Sequence, residues 1–125
     1  MKYLLDSHVL IWLAQGSSAL SLQHRAALCD RANHVHLSVA SIWELAIKAD
    51  LGKLRLPVEP AEICAAMGIR VLDISVAHVQ HLRDLPKLHR DPFDRILVAT
   101  ARAEGLTLVT HDESVLAYPV SSLAV

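Results

Sequence analysis

The stretch from His89 to Glu113, HRDPFDRILVATARAEGLTLVTHDE, constrains the fold of this chain more than any other segment. Asp91 and Pro92 fit the N-cap and first position of a helix, because proline lacks the N–H group that is unpaired there. The apolar residues that follow predict a helix packed on a sheet, and Gly105 predicts where it ends. The next run, LTLVT, is typical of a buried parallel strand. This segment therefore predicts a helix, a tight turn and a strand.

Strand-like and helix-like segments alternate along the rest of the chain. We expect strands at residues 2–5, 35–38, 69–74 and 106–110, with an edge strand within residues 119–125. We expect helices at about residues 8–15, 21–32, 40–51, 59–67, 76–85, 92–104 and 114–118. No repeat or linker interrupts this order. The pattern predicts one α/β domain spanning residues 1–125, with a parallel sheet covered by helices on both faces.

Composition narrows the functional class. A hydrophobic content of 53% predicts a folded protein with a large hydrophobic core. The formal net charge of −1 argues against a protein held to nucleic acid mainly by bulk charge, although basic residues including Arg90 and Arg95 form a local group. No apolar run approaches the ~20 residues that span a bilayer, and no signal-peptide pattern is visible. We expect Cys29 and Cys64 to be buried, reduced thiols of a cytoplasmic protein.

Four acidic residues are expected at one edge of the predicted sheet. Asp6 ends the first strand and Asp112 follows the fourth, so both lie at the carboxyl edge of a parallel sheet. Glu44 lies one turn into the helix after the second strand, which begins at the same edge. The helix with Asp94 in its first turn leads into the fourth strand, so it ends near the amino edge and begins at the carboxyl edge. This edge is where ligands bind in open α/β sheets.

A cluster of carboxylates needs a compensating charge, because like charges at close range repel. Carboxylate and water ligands suit Mg²⁺ or Mn²⁺. Such ions can position an attacking water on a phosphodiester and stabilise the departing oxygen. The four acids therefore predict a divalent-metal site for phosphodiester chemistry.

Each acid also has a purely structural interpretation. Asp91 is best explained as an N-cap. Asp94 could complete a capping box or favour the helix dipole, and Asp112 could cap the helix that follows it. These local roles leave the functional and structural interpretations of Asp94 and Asp112 about equal when each residue is considered alone.

Glu44 and Asp6 differ in how well a local role explains them. Glu44 stands four residues before Lys48, the orientation of an ordinary helix surface pair worth roughly 0.3–0.5 kcal/mol. Asp6 is harder to explain structurally, because Ser7 already fits the cap of the first helix. The four acids are individually weak indicators and jointly strong ones.

Other polar and aromatic side chains carry weaker arguments. His8 and His111 each neighbour an acid and could assist a metal, but a chain with eight histidines makes such neighbours common. Trp12 and Trp43 fall in helical apolar patterns and are interpreted as core or interface anchors. Arg95, like Arg90, is a candidate contact to a phosphate, although a position on a helix surface or paired with an acid is at least as common for arginine.

Four motifs in order, LLDSHVLIWL, SVASIWELAIK, DPFDRILVATA and LTLVTHD, resemble those of PIN-domain ribonucleases, in particular VapC toxins of bacterial toxin–antitoxin pairs. The resemblance covers essentially the whole chain. It implies a three-layer α/β/α sandwich around a central parallel sheet. It also implies Mg²⁺- or Mn²⁺-dependent endonucleolytic cleavage of RNA, often tRNA or another structured RNA, with 5′-phosphate and 3′-hydroxyl products.

The resemblance assigns site residues to the same positions as the sheet argument. The family's four metal-binding acids fall on Asp6, Glu44, Asp94 and Asp112. The accompanying hydroxyl residues fall on Ser7 and Thr110, whereas Asp91 lies outside the minimal motif and is at most auxiliary. The family further implies a cognate antitoxin and a homodimer, with apolar groups of the first helices, including Trp12, as contacts for the antitoxin.

Two rival interpretations belong to other functional classes. A phospho-receiver domain has a similar length and sheet type, and Asp73 near the end of the third strand could be its phosphoacceptor. That class requires paired acids after the first strand and a lysine after the last, which this chain lacks. The second rival is a catalytically inactive module, on the same fold, that binds RNA or protein; the presence of all four acids disfavours it.

Overall fold

The computed structural model describes residues 1–125, in which seven α-helices and five β-strands alternate. The strands are β1 (Lys2–Leu5), β2 (His34–Ser38), β3 (Arg70–Leu72), β4 (Thr107–Thr110) and β5 (Ser122–Ala124). The helices are α1 (Ser7–Gln15), α2 (Leu22–Cys29), α3 (Val39–Asp50), α4 (Pro60–Met67), α5 (Val76–His81), α6 (Pro92–Glu104) and α7 (Glu113–Leu116). A 3₁₀ turn at Leu82–Asp84 follows α5.

The five strands form one sheet in the order β3-β2-β1-β4-β5, and every neighbouring pair is parallel. The central strand β1 pairs with β2 on one side and β4 on the other, so that Leu5 lies opposite both Leu37 and Val109. The prediction of a parallel sheet is therefore confirmed. The strand order reverses at β1, and the residues that follow β1, β2 and β4 meet at one edge.

Two hydrophobic cores fill the space between the sheet and its helices. One face, with Leu5, Leu37 and Val109, packs against α1 to α4. The other, with Leu4 and Leu108, packs against α6, the 3₁₀ turn region and α7. The alternation along each strand separates the two cores, because successive side chains point to opposite faces. The three-layer α/β/α sandwich is confirmed.

Helix α6 has the ends that the sequence predicts. The Asp91 carboxylate accepts a hydrogen bond from the Phe93 N–H at 2.9 Å, and Pro92 occupies the first helical position. Gly105 ends the helix with a φ of +66°, in the left-handed region that a residue with a Cβ rarely adopts. Its N–H donates to the Ala101 carbonyl. These ends place the first turn of α6 at the carboxyl edge of the sheet.

Three predicted elements are shorter than expected, each for a local reason. Strand β3 spans three residues instead of 69–74, because its partner β2 turns directly into α3 after Ser38, which pairs with Leu72. Helix α5 stops at His81 because Leu85 precedes Pro86, which disfavours the helical conformation, and Leu85 is extended.

Helix α2 ends at Cys29 rather than near residue 32. The Asp30 carboxylate accepts a hydrogen bond from the Ala32 N–H at 2.9 Å, a local bond that competes with helix continuation. Within α2 only Leu28 is buried, so the prediction that Cys29 is buried was wrong. Cys64 is buried as predicted, and burial raises the pKa of its thiol. None of the helices has the length and apolar character needed to cross a membrane.

Candidate metal centre

The four predicted acids meet around one cavity of about 130 Å³ at the carboxyl edge of the sheet. Asp6 follows β1, Glu44 lies one turn into α3, Asp94 lies in the first turn of α6, and Asp112 follows β4. No apolar side chain lines this cavity; its walls are Asp6, His8, Glu44, Lys48, Asp91, Asp94, His111 and Asp112. Four separate segments of chain thus contribute carboxylates to a single polar hollow.

Asp6 is held by two hydroxyl groups. The Thr110 hydroxyl donates to Asp6 Oδ2 at 2.8 Å, and the Ser7 hydroxyl lies 3.3 Å from Asp6 Oδ1. All three residues are buried, with exposed fractions of 5% or less. Asp6 rather than Ser7 occupies the N-cap position of α1, so the prediction of a Ser7 cap was wrong. The Ser7 side chain is directed to the carboxylates instead of the helix end.

Glu44 forms an ion pair with Lys48 and also a buried hydrogen bond with Ser7. Lys48 Nζ lies 3.4 Å from Glu44 Oε2, which confirms the expected i, i+4 ion pair. The other carboxylate oxygen of Glu44 accepts a hydrogen bond from the Ser7 hydroxyl at 2.8 Å. Because Glu44 is only 8% exposed, its charge is largely removed from solvent. Ser7 therefore links Glu44 to Asp6 in one buried network.

The carboxyl group of Asp94 has a pKa raised to about 6. Burial is the main cause, because desolvation disfavours the charged form, and the negative charges of Asp91, Asp6 and Glu44 raise the pKa further. A hydrogen bond from His89 acts in the opposite direction, with His89 Nε2 2.8 Å from Asp94 Oδ2. A bound cation would offset this cost, because an opposite charge nearby favours the charged form of the carboxyl group.

Asp91 and Asp112 both have the structural roles that the sequence predicts. Asp91 caps α6, as described above, and Asp112 caps α7 by accepting a hydrogen bond from the Ser114 N–H at 2.9 Å. The Asp112 N–H in turn donates to the Thr110 hydroxyl at 3.1 Å. Both capping acids nevertheless line the cavity. Capping orients Asp112 toward the site and does not exclude a second role.

His89 is a site residue that the sequence analysis missed. Its ring nitrogen and one carboxylate oxygen each from Asp94 and Asp112 all lie within 4.8 Å of one another. His89 belongs to the loop before α6, where no helical or strand periodicity predicts the direction of a side chain. Tyr118, 29 residues further along the chain, holds the loop by accepting a hydrogen bond from the His89 N–H at 2.9 Å. Only this tertiary contact reveals where His89 lies.

The two candidate phosphate-binding arginines lie in different environments. Arg90 is exposed, whereas Arg95 donates hydrogen bonds to the carbonyls of Pro86 and Leu82 and to the Tyr118 hydroxyl. Together with Lys87 and His89, these arginines line a hollow of about 430 Å³ that contains no acidic residue. His89 contacts Asp94 and also lines this hollow, so the basic surface adjoins the acidic cavity.

His8 and His111 line the cavity, but neither they nor the two tryptophans take part in the hydrogen bonds among the acids. Trp12 packs partly on the core of the α1 face, and its ring centroid lies 4.8 Å from that of His111. His8 lies 6.0 Å from His111 on the same side of the cavity. Trp43 is 60% exposed and packs edge-to-face on Phe93, so it is not a core residue. An interface role remains the interpretation of Trp43.

The donor atoms around the cavity fit a hard divalent cation. Asp6, Glu44, Asp94 and Asp112 offer carboxylate oxygens in a confined volume, and hard ions such as Mg²⁺ and Mn²⁺ prefer oxygen ligands. Burial and, to a lesser extent, the neighbouring carboxylates raise the pKa of Asp94, and a bound cation would stabilise its charged form. The chemistry of the site therefore matches the group that the sequence predicts.

The observed strand order argues against the phospho-receiver alternative. Receiver domains have the order 2-1-3-4-5, whereas this sheet has the order β3-β2-β1-β4-β5. Strand β3 is consequently an edge strand, and Asp73 after it is exposed and does not line the acidic cavity. The site forms instead between the carboxyl ends of β1 and β4.

Comparison with known proteins agrees with the fold and the motifs. Residues 3–119 match the family model described as the PIN domain. The chain is 30% identical to Ribonuclease VapC22 of Mycobacterium tuberculosis over 112 residues, which cover 87% of this chain and 85% of that protein.

Solved structures have the same fold at lower sequence identity. A chain in the structure of VapBC2 from Rickettsia felis bound to a promoter DNA fragment has a TM-score of 0.74 and 17% identity, and the match covers 99% of this chain and 98% of that one. A chain in the structure of DNA-bound VapBC from Salmonella typhimurium has a TM-score of 0.65 and 18% identity over the same shares. With the family model matching almost the whole length, this chain belongs to the PIN-domain family.

Proposed function

We propose that this protein is a divalent-metal-dependent endoribonuclease that acts as the toxin of a toxin–antitoxin pair. The observation that carries the proposal is the convergence of four carboxylates, from four segments, on one polar cavity beside a basic hollow. The similarity to a protein named Ribonuclease VapC22 supports RNA as the substrate. We expect a structured RNA such as tRNA, cleaved in the cytoplasm.

The proposed cofactor is Mg²⁺ or Mn²⁺, held by Asp6, Asp94 and Asp112 with Glu44 beside them. When bound, such an ion makes a water molecule nucleophilic at neutral pH and stabilises the departing oxygen of the phosphodiester. Asp94 must lose its proton to serve as a ligand, so metal binding is expected to be strongest above pH 6. Asp91 is proposed as an auxiliary group that adds negative charge.

Residues around the acids keep them in place. The Thr110 hydroxyl holds Asp6, and the single hydrogen of the Ser7 hydroxyl is directed to Glu44 at 2.8 Å, with Asp6 at 3.3 Å as a weaker second acceptor. Such outer contacts orient ligands and are expected to affect metal affinity about 10–100-fold. Lys48 reduces the net negative charge at the rim, which favours approach of an RNA phosphate.

The basic hollow is the proposed contact for the RNA backbone. Arg90 and Lys87 are exposed and free to meet phosphates. Arg95 lines the same hollow, but its hydrogen bonds to Pro86, Leu82 and Tyr118 favour a positioning role over a direct phosphate contact. Phosphate contacts fix the register of the RNA. Cleavage is then expected at the phosphodiester that lies beside the acidic cavity.

A small antitoxin and a second copy of the chain are the proposed protein partners. Structural neighbours include chains from VapBC structures and from a toxin–antitoxin complex of Klebsiella pneumoniae. The partly exposed Trp12 on α1, close to His111 at the cavity wall, is the proposed antitoxin contact. Co-purification with the product of a short upstream reading frame, followed by light scattering, would measure both assemblies.

The function is tested by mapping RNA ends. Brief expression of the wild type, followed by sequencing of 5′ ends, should reveal discrete cleavage sites that are absent with Asp6→Asn. In vitro, cleavage by the purified protein should require Mg²⁺ or Mn²⁺ and stop with a chelator. Uncut RNA in both assays, with the protein still bound to RNA, would support the inactive binding module instead.

A further inference from the structure

The loop before α6 presents a nitrogen ligand to an otherwise oxygen-rich site. His89 Nε2 lies 2.8 Å from Asp94 Oδ2. A ring nitrogen of His89 and one carboxylate oxygen each from Asp94 and Asp112 lie within 4.8 Å of one another. Because bonds to a divalent transition ion are about 2.0–2.2 Å long, ligand atoms at right angles around it are about 3.0 Å apart and opposed ones about 4.2 Å apart. The three ligand atoms therefore lie close to the separations that a shared ion requires, and coordination by His89 would replace its hydrogen bond to Asp94.

The position of His89 is fixed by the fold. The Tyr118 hydroxyl accepts a hydrogen bond from the His89 N–H at 2.9 Å and lies 3.3 Å from the His89 carbonyl. Arg95 donates to the same hydroxyl at 3.1 Å and to the carbonyl of Pro86 at 3.0 Å. We call these contacts of Tyr118 and Arg95 with the loop the clamp. Tyr118 is 3% exposed, so the clamp is anchored in the core on the α6 face. A clamped backbone of this kind preorganises the ring that it carries.

The chemistry of imidazole distinguishes between the two candidate ions. Carboxylate and water ligands suit both Mg²⁺ and Mn²⁺. A divalent transition ion also accepts an imidazole nitrogen, Mn²⁺ the most weakly of that series, whereas Mg²⁺ gains little from one. A site with His89, Asp94 and Asp112 therefore combines one nitrogen with two oxygens. Such a set should discriminate between ions that four carboxylates alone would bind more equally.

We propose that His89 is a direct ligand of the divalent cation together with Asp94 and Asp112, and that it makes the site selective for Mn²⁺ over Mg²⁺. Tyr118 and Arg95 are positioning residues for this ligand. The inference rests on the proposed function only in assuming that this cavity holds a divalent cation; it does not depend on which nucleic acid is cut.

The experiment measures the ligands of bound Mn²⁺ directly. Pulsed electron paramagnetic resonance of the full chain loaded with Mn²⁺ should show coupling to an imidazole nitrogen in the wild type. The coupling should vanish in His89→Gln, whose backbone contacts to Tyr118 are retained because they use only main-chain atoms. It should persist in the matched controls His8→Gln and His111→Gln, which alter the two histidines that line the cavity.

Calorimetric titration with each ion gives a second readout. His89→Gln should weaken Mn²⁺ binding about tenfold or more and change Mg²⁺ binding by less than about twofold, so the ratio of the two affinities falls. The surface variant His24→Gln, on α2, should leave both affinities unchanged. Tyr118→Phe keeps the aromatic ring but removes the clamp, and should weaken Mn²⁺ binding about tenfold.

Three results would overturn the proposal. The first is that the Mn²⁺-loaded wild type shows no nitrogen coupling. The second is that the coupling is lost in His8→Gln or His111→Gln but not in His89→Gln. The third is that Mn²⁺ does not bind. RNA cleavage is scored separately. Cleavage without nitrogen coupling would reject His89 as a ligand and keep the nuclease, whereas nitrogen coupling without cleavage would reject the nuclease and keep the ligand.

Discussion

Thr110 donates a hydrogen bond to Asp6 across 2.8 Å, joining two residues that are 104 positions apart in the chain. The contact forms because β1 and β4 are neighbours in the sheet and both end at this edge. The Asp6 N–H also donates to the Val109 carbonyl, which continues the pairing of the two strands up to the acid. The sheet itself thus fixes the position and rotamer of the first carboxylate.

Replacing Thr110 by valine tests this fixation. Thr110→Val keeps the shape of the side chain but removes the donor to Asp6 and the acceptor for the Asp112 N–H. We expect metal affinity to fall about 10–100-fold, as for other residues that orient ligands, and cleavage at limiting metal to fall in parallel. Calorimetric titration of the variant with Mg²⁺ or Mn²⁺ would measure the metal affinity. The matched control is Thr107→Val on the same strand, whose partly exposed hydroxyl contacts Ser121 away from the site; equal losses in both variants would contradict this account.

Asp94 should make the metal-free protein less stable as the pH rises. Its folded-state pKa of about 6 lies above the ordinary value of 3.8, so the folded state binds the proton more tightly than the unfolded state. The resulting contribution to stability is fully present below about pH 4 and is lost as the pH rises through 6. A shift of this size corresponds to about 2–3 kcal/mol at most.

The variant Asp94→Asn removes this pH dependence. In metal-free buffer it should be more stable than the wild type at pH 7.5, by on the order of 2 kcal/mol, and nearly equal at pH 4. Urea unfolding at both pH values measures the difference. Added Mg²⁺ or Mn²⁺ should stabilise the wild type and not the variant. If the variant is less stable than the wild type at pH 7.5, the charged form of Asp94 does not destabilise the folded protein.

Arg95 is predicted to matter for stability. Arg95→Ala leaves the carbonyls of Pro86 and Leu82 and the Tyr118 hydroxyl without their donor. We expect a loss of about 1–3 kcal/mol in the free energy of unfolding. Arg102→Ala is the matched control from the same helix, because Arg102 is exposed and donates one hydrogen bond, to Pro119. Similar unfolding energies for the two variants would contradict the clamp.

Arg90 is predicted to matter for RNA binding and not for stability. It is exposed, lines the basic hollow and makes no side-chain hydrogen bond within the protein. Arg90→Ala should weaken binding to all RNA sequences similarly and reduce the slope of affinity against salt concentration by about one unit. Filter binding across a salt series, done with the cleavage-inactive Asp6→Asn background, measures the slope. An unchanged slope would show that Arg90 does not contact an RNA phosphate.

Much of this site could be predicted because it depends on sheet topology. Residues that end parallel strands, begin the helices after them or begin a helix that leads into the next strand lie at one edge, which places Asp6, Glu44, Asp94 and Asp112 together. The ends of α6 were equally predictable, since Asp91 and Gly105 act through local backbone rules. Local rules and topology suffice for main-chain positions.

Side-chain partners in loops and on edges could not be predicted. His89 reaches Asp94 because Tyr118 holds its loop, a contact between segments with no common periodicity. The position of Ser7 fits a helix cap by sequence, but its hydroxyl finds stronger acceptors in Glu44 and Asp6. Cys29 is exposed because α2 buries a single residue. In each case the tertiary environment overrides the local pattern.

The central claim is that the acid cluster performs metal-dependent RNA cleavage. The most direct test compares purified wild type, Asp6→Asn and the control Asp73→Asn, which changes an exposed acid outside the cavity. All three should have the same circular dichroism spectrum. With Mg²⁺ or Mn²⁺ present, Asp6→Asn should lose more than about a hundredfold in cleavage rate, beyond the 10–100-fold typical of outer contacts, and Asp73→Asn should cut at the wild-type rate. A folded Asp6→Asn that cuts RNA at the wild-type, metal-dependent rate would contradict the account.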